Sequence, residues 1–121
     1  MELDAGAAIY ALGYSGIFKI ATPTDATASC PAMLLSEEDS QYQRGVEETL
    51  NSMIADQASA NAATYIDVYG PSAGKTACDL PVLRWIEPIV PVNAAAPLHP
   101  NIMGMLGITD LIVAQATATS P

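Results

Sequence analysis

Residues 36–69 of this 121-residue chain, SEEDSQYQRGVEETLNSMIADQASANAATYIDVY, decide its fold class. Ser36 can cap a helix, and the three acidic residues after it favour the positive end of the helix dipole. Apolar residues then recur at spacings of three and four opposite a polar face, which predicts an amphipathic helix that ends at about Ala60. The apolar stripe consists of Tyr42, Val46, Leu50, Met53, Ile54 and Ala58, and the polar face of Arg44, Glu47, Glu48 and Asp56.

A predicted strand lies on each side of this helix. Residues 7–12, AAIYAL, form a short apolar run that ends at Gly13, and residues 64–69, TYIDVY, are rich in β-branched and aromatic side chains. A strand–helix–strand order implies a right-handed crossover and a parallel pair of strands. A last helix is predicted from about Pro100, because proline is favoured in the first helical turn. The predicted fold class is therefore α/β.

The remaining sequence is long loop, and it leaves the predicted sheet incomplete. Residues 13–35 show no periodicity, and prolines interrupt residues 71–97. Two strands alone leave unpaired backbone groups at both edges of the sheet, which also predicts self-association through those edges. We expect residues 1–116 to be part of a larger α/β sheet with helices on its faces, followed by a loose polar tail at 117–121.

The acidic composition excludes some classes of partner. The formal net charge is -9, and the four cationic side chains are Lys19, Arg44, Lys75 and Arg84. These cations are too few and too scattered to neutralise a run of phosphates, so we expect no nucleic-acid partner. No stretch approaches the length of apolar sequence that a bilayer requires, so we expect no membrane span.

The two cysteines allow two interpretations. Cys30 and Cys78 could be small buried thiols, as is common in cytosolic proteins. Both lie in loop sequence that contains proline, however, where a disulfide between two loops is typical of an exported protein. The first residues lack the basic region of a signal peptide, which conflicts with export unless Met1 is not the natural start.

Two segments resemble known motifs but lack the required spacing. Residues 70–76, GPSAGKT, have three residues between their glycines, whereas a phosphate-binding loop has four. Ser15 follows a predicted strand, but a nucleophile elbow requires glycine two residues after the serine, where this chain has Ile17. Ser15 is better explained as a turn residue. One histidine and two separated cysteines predict no metal site, and we expect no cofactor.

His99, the single histidine, is the strongest candidate for chemistry. It lies in the segment 96–101, APLHPN, directly before the last predicted helix. An imidazole can act as a general base near neutral pH when another group orients its second nitrogen. A lone histidine can equally be structural, so the surrounding sequence is needed to choose between a catalytic and a structural role.

The residues around His99 resemble the last conserved block of the SGNH (GDSL-type) serine esterases and lipases. The similarity consists of LHPN at 98–101 with Gly104 and Met105, RWIEP at 84–88, YIDVYGP at 65–71 and the two cysteine-containing loops. It resembles the actinobacterial secreted branch of that family. The resemblance implies a flavodoxin-like three-layer fold, a small acyl-ester substrate, an extracellular location, and His99 as the general base that activates a serine.

The nucleophile and oxyanion-hole blocks of that family have no counterpart here. The chain contains neither Gly-Asp-Ser nor Gly-x-Asn-Asp, so it resembles only the C-terminal half of such an enzyme. Without a nucleophile and oxyanion donors, we expect the isolated chain to be inactive. An aspartate often lies three residues before the histidine, where this chain has Ala96, so the backbone carbonyl of Ala96, or Asp79 or Glu87, would orient His99. The alternative is a non-catalytic α/β interaction module or a degenerate family member.

Overall fold

The computed structural model describes residues 7–18 and 30–119, which form a short parallel sheet with flanking helices. β1 and β2 pair in parallel, with Tyr10 opposite Thr64 and Leu12 opposite Ile66. The predicted α/β class and the parallel crossover through the first helix are confirmed. The elements are β1 (Tyr10–Leu12), α1 (Glu37–Ala60), β2 (Thr64–Ile66) and α2 (Ile102–Thr119), with short 3-10 turns at Pro31–Met33 and Gly70–Ser72.

Both strands are shorter than the sequence predicts. Of the predicted strand at 7–12 only Tyr10–Leu12 forms a strand, and of the one at 64–69 only Thr64–Ile66. The chain turns after Ile66, since the backbone N–H of Ser72 donates to the carbonyl of Val68 at 3.2 Å. The carbonyls of Val68 and Tyr69 are therefore used in a turn and not in the sheet.

Helix α2 also differs from its predicted bounds. It begins at Ile102 and not at Pro100, because Pro100 lies in an isolated antiparallel bridge with Ile86. The side chain of Asn101 then accepts a hydrogen bond from the backbone N–H of Gly104 at 3.0 Å, as an N-cap residue does. The helix includes residues 117–119 of the predicted tail. Residues 120 and 121 lie outside the described part of the chain.

Helix α1 begins as predicted but presents an unexpected face to the sheet. The hydroxyl of Ser36 accepts a hydrogen bond from the backbone N–H of Asp39 at 3.0 Å. The apolar side chains of Tyr42 and Met53, by contrast, are 70% and 54% exposed. Glu47 of the predicted polar face and Asn51 turn inward, because their side chains bind the irregular backbone of residues 14–18, as described below. The buried residues of α1 are Ser40, Glu47, Asn51 and Ala58.

A disulfide joins the loops on one side of the sheet. Cys30 and Cys78, 48 residues apart, are bonded, so the interpretation as a disulfide between two loops is confirmed and that as free thiols is wrong. They pack with Met33, Ala77 and Ile86 in a small apolar cluster. The cross-link therefore fixes the start of the 3-10 turn at Pro31–Met33 next to the loop that carries Cys78.

Trp85 forms the contact between α2 and the sheet. It lies in an apolar cluster with Ile66 and Val68 at the end of β2. A Cβ atom at Gly104 would collide with the Trp85 carbonyl, and one at Gly107 would collide with the indole ring. The two glycines therefore allow α2 to approach Trp85 closely. None of the helices in the described residues is long and apolar enough to cross a bilayer.

Candidate active site

A cavity of about 470 Å³ lies at the carboxyl end of β1. Residues 12–15 and Ile17 form one side of the cavity, and residues 98–100 and Ile86 form the other. Ile108 of α2 also lines the cavity. A cavity of this size can hold a small molecule, and ligands of parallel sheets bind beyond the carboxyl ends of the strands. His99 therefore lies where this fold class places its ligands.

The imidazole of His99 is held by a backbone carbonyl. Its Nδ1 atom lies 2.8 Å from the carbonyl oxygen of Pro97, which can only accept a hydrogen bond. Nδ1 consequently carries the proton in the neutral ring, and Nε2 is left as the proton acceptor. The expected orienting residue was Ala96, but the Ala96 carbonyl accepts the backbone N–H of His99 at 3.2 Å.

The backbone around His99 adopts a conformation that its neighbours must enforce. Leu98 has φ of 60°, in the left-handed region that branched side chains rarely adopt. The backbone N–H of Leu98 donates to the carbonyl of Glu87 at 3.1 Å, and the backbone N–H of Glu87 donates to the carbonyl of His99 at 3.1 Å. These two hydrogen bonds fix the loop of His99 against residue 87.

The side chain of Glu87 is fully buried directly beneath this loop. One carboxylate oxygen accepts from the amide groups of Asn93 at 2.7 Å and Asn101 at 2.8 Å. The other oxygen accepts from the backbone N–H groups of Val92 at 2.8 Å and Asn93 at 3.1 Å. Burial alone would raise the pKa of Glu87, but these hydrogen bonds outweigh it and lower the pKa to about 2. Glu87 thus positions the loop and the start of α2, and its recorded contacts do not include the imidazole.

Asp79, the other acidic candidate for orienting His99, is engaged elsewhere. Its carboxylate accepts from both the backbone N–H and the hydroxyl of Thr76 at 2.8 Å. The carbonyl of Asp79 accepts from the guanidinium of Arg84 at 2.7 Å. Asp79 therefore stabilises the turn next to the disulfide, and no recorded contact brings it to His99.

Side chains from other elements hold the opposite wall of the cavity. The backbone N–H of Tyr14 donates to the side-chain oxygen of Asn51 at 2.7 Å. The backbone N–H of Gly16 donates to the hydroxyl of Ser72 at 2.8 Å. Since these residues follow the last pair of β1, the polar side chains replace the ladder bonds that a longer strand would make.

Glu47 completes the support of that wall. Its carboxylate accepts from the backbone N–H groups of Ile17 at 2.9 Å and Phe18 at 3.3 Å. Burial raises the pKa of Glu47 to about 7. The two N–H groups lower this pKa, but the negative charge of Glu48 raises it further. Glu47 is therefore a buried carboxyl that gains or loses its proton near neutral pH.

The sequence singles out His99 as a candidate residue, but it does not show which group binds the imidazole. A backbone carbonyl such as that of Pro97 carries no side-chain signal, so nothing in the sequence could single it out. Asn101 did carry a signal, because asparagine directly before a predicted helix is a preferred N-cap residue. In the described residues, no group of three or more His, Cys, Asp or Glu side chains could hold a metal ion.

The chain is similar to a lipase. It is 39% identical over 99 residues to Lipase 2 of Streptomyces coelicolor, a match that covers 81% of this chain. The chain spans only 32% of the length of that relative. No protein-family profile matches the chain, and no solved structure matches it. The identity supports a relationship between this chain and the lipases and esterases.

Proposed function

We propose that this chain is the base-carrying C-terminal portion of an SGNH-type hydrolase of acyl esters. His99 is its general base, and the serine nucleophile lies outside these 121 residues. The observation that carries the proposal is the imidazole whose Nδ1 is bound by the Pro97 carbonyl at 2.8 Å, beside a cavity of mostly apolar lining. The similarity to a lipase supports the same chemistry.

In the proposed reaction, Nε2 of His99 takes the proton of the serine hydroxyl as the serine oxygen attacks the acyl carbon. The Pro97 carbonyl stabilises the imidazolium through Nδ1–H. His99 then returns the proton to the departing alcohol, and an acyl-serine remains. Water attacks this acyl group in the second half of the reaction, with His99 again taking and returning the proton. Donors for the oxyanion would come from the same outside segment as the serine.

The substrate that fits the cavity is a small ester with an apolar acyl chain. Leu12, Ile17, Ile86 and Ile108 offer such a chain an apolar surface. An extracellular location is part of the proposal, and the Cys30–Cys78 disulfide is compatible with it. In this proposal, the remainder of the hydrolase covers the open edges of the sheet, and the isolated chain self-associates through them.

A chimera tests the proposal. This chain would replace the matching 99-residue region of Lipase 2. We expect the isolated chain to leave p-nitrophenyl butyrate unhydrolysed, and the chimera to hydrolyse it. His99→Ala should lower the activity of the chimera by a factor of about 10²–10⁴. Gln43→Ala, at an exposed residue of α1, is the matched control and should leave the activity unchanged.

Three results would contradict the proposal. A folded chimera whose activity does not depend on His99 would show that this residue is not the base. Hydrolysis by the isolated chain that disappears in His99→Ala would show that the nucleophile lies within these 121 residues. A folded chimera without any activity would favour the alternative, a non-catalytic interaction module.

A further inference from the structure

We infer that Ser15 is a substrate-binding residue, whose hydroxyl donates a hydrogen bond to an oxygen of the ester in the His99 cavity. This inference rests on the proposed function, because it names the group that binds the ester. Ser15 lines the same cavity as His99, on the wall that follows β1. It is distinct from the proposed nucleophile, which lies outside the chain.

The first observation is an unpaired hydroxyl on a wall whose backbone is otherwise well bonded. Ser15 is 8% exposed, and its Oγ atom is buried without a hydrogen-bond partner among the described residues. The residues on either side are fixed, since Tyr14 and Gly16 donate their N–H groups to Asn51 and Ser72. The turn therefore holds Ser15 in one place and leaves its hydroxyl unused.

The second observation is the chemistry of the cavity around this hydroxyl. Apart from Tyr14 and His99, the other side chains of the lining are apolar. A buried hydroxyl without a partner is unfavourable, so an occupant that offers an acceptor gains a hydrogen bond at no cost to an existing one. The oxygens of an ester are such acceptors. Oγ is enclosed in the present conformation, so the inferred contact includes a rotation of Ser15 about its single side-chain torsion, between staggered positions.

Ser40 provides a matched control within the same chain. It is 1% exposed, and its Oγ atom is likewise buried and unpaired. Ser40 lies in the first turns of α1 and is not part of the cavity lining. Replacing either serine by alanine removes one unpaired buried hydroxyl, and of the two residues only Ser15 lines the cavity.

The test is a titration of the 121-residue chain with methyl butyrate, followed through the imidazole NMR signals of His99. We expect Ser15→Ala to weaken methyl butyrate binding by a factor of about 3 to 10, the effect of one hydrogen bond. Ser40→Ala should bind methyl butyrate as the unsubstituted chain does. All three proteins should remain folded throughout the titration.

The possible results separate this inference from the proposed function. If methyl butyrate binds Ser15→Ala and the unsubstituted chain equally, the Ser15 inference is wrong and the ester site remains. If methyl butyrate does not shift the His99 signals of the unsubstituted chain, the cavity is not an ester site, and both proposals fail. If the chain hydrolyses methyl butyrate and Ser15→Ala stops it, Ser15 is the nucleophile, and the inferred binding role is wrong.

Discussion

Glu87 and Glu47 hold opposite walls of the same cavity, and their carboxyl groups have opposite properties. Glu87 lies under the His99 loop and accepts four hydrogen bonds, two of them from amide side chains. Glu47 lies in α1 and accepts two, from the backbone of residues 17 and 18. The pKa of Glu87 is lowered to about 2, whereas that of Glu47 is raised to about 7.

The difference shows that hydrogen-bond donors, and not burial alone, decide whether an enclosed carboxyl is ionised. Both side chains are buried. Four donors compensate the lost hydration of Glu87, but two do not compensate that of Glu47, which also lies near the charge of Glu48. The His99 wall therefore has an ionised anchor down to acidic pH, while the wall of residues 13–18 has an anchor that titrates near neutrality.

The largest effect should come from Glu87→Gln. The substitution keeps the size of the side chain but replaces one acceptor oxygen by an NH2 group. The two buried N–H groups that donate to this oxygen would then lose their acceptor and face another donor. We expect the free energy of unfolding, measured with urea at pH 7, to fall by about 3–5 kcal/mol. In the unsubstituted chain, the contribution of Glu87 should be complete above its unfolded pKa of 4.5 and disappear as the pH falls toward 2.

An unchanged urea midpoint in Glu87→Gln would contradict this account of the His99 wall. Glu47→Gln is the matched control, since it makes the same chemical change on the other wall. Equal losses of stability in the two variants would remove the distinction between the two carboxyls.

A second comparison uses one glycine from each of the two helices, α1 and α2. Gly104→Ala in α2 places a methyl group against the Trp85 carbonyl, whereas Gly45→Ala in α1 meets no atom within 4 Å. We expect Gly104→Ala to lower the free energy of unfolding by about 1–3 kcal/mol. Gly45→Ala should raise it by about 0.5–1 kcal/mol, because alanine favours a helix more than glycine does. Thermal or urea unfolding measures both, and equal effects would refute the close packing of α2 on Trp85.

Glu47→Gln should have a smaller effect than Glu87→Gln, and the size of this effect should depend on pH. The folded protein holds the Glu47 proton up to about pH 7, whereas the unfolded chain loses it near pH 4.5. The contribution of Glu47 is therefore complete below pH 4.5 and is lost as the pH rises to 7. We expect Glu47→Gln to raise the free energy of unfolding by about 1–2 kcal/mol at pH 8 and to change it by less than about 1 kcal/mol at pH 5. The same gain at both pH values would show that the pKa of Glu47 is not raised.

The sequence predicted the elements that rest on local patterns. The Ser36 cap, the helix after it, the parallel pair of strands and the position of His99 before the last helix all follow from neighbouring residues. The orientation of α1 does not follow from neighbouring residues, because the helical periodicity predicts that the apolar residues face the core. In this chain, Glu47 and Asn51 face inward instead, since they bind the backbone of a loop more than 28 residues earlier.

The anchors of the candidate site were predictable only in part. Glu87 and Ala96 were expected to act on the His99 ring, but the partners of Glu87 come from residues 92, 93 and 101, and the ring contacts Pro97. Such partners depend on how the loops fold back on one another, which no local pattern specifies. The unpaired hydroxyl of Ser15 likewise becomes visible only when its surroundings are known.

The most direct test of the central claim is the tautomer of His99. Nitrogen-15 NMR of the 121-residue chain at pH 9, where histidine side chains are neutral, reports which ring nitrogen carries the proton. The hydrogen bond to the Pro97 carbonyl predicts a proton on Nδ1 and a free Nε2, the form that can accept a proton from serine. A proton on Nε2 would contradict it, because the ring could then neither bind the carbonyl through Nδ1–H nor act as the base at Nε2.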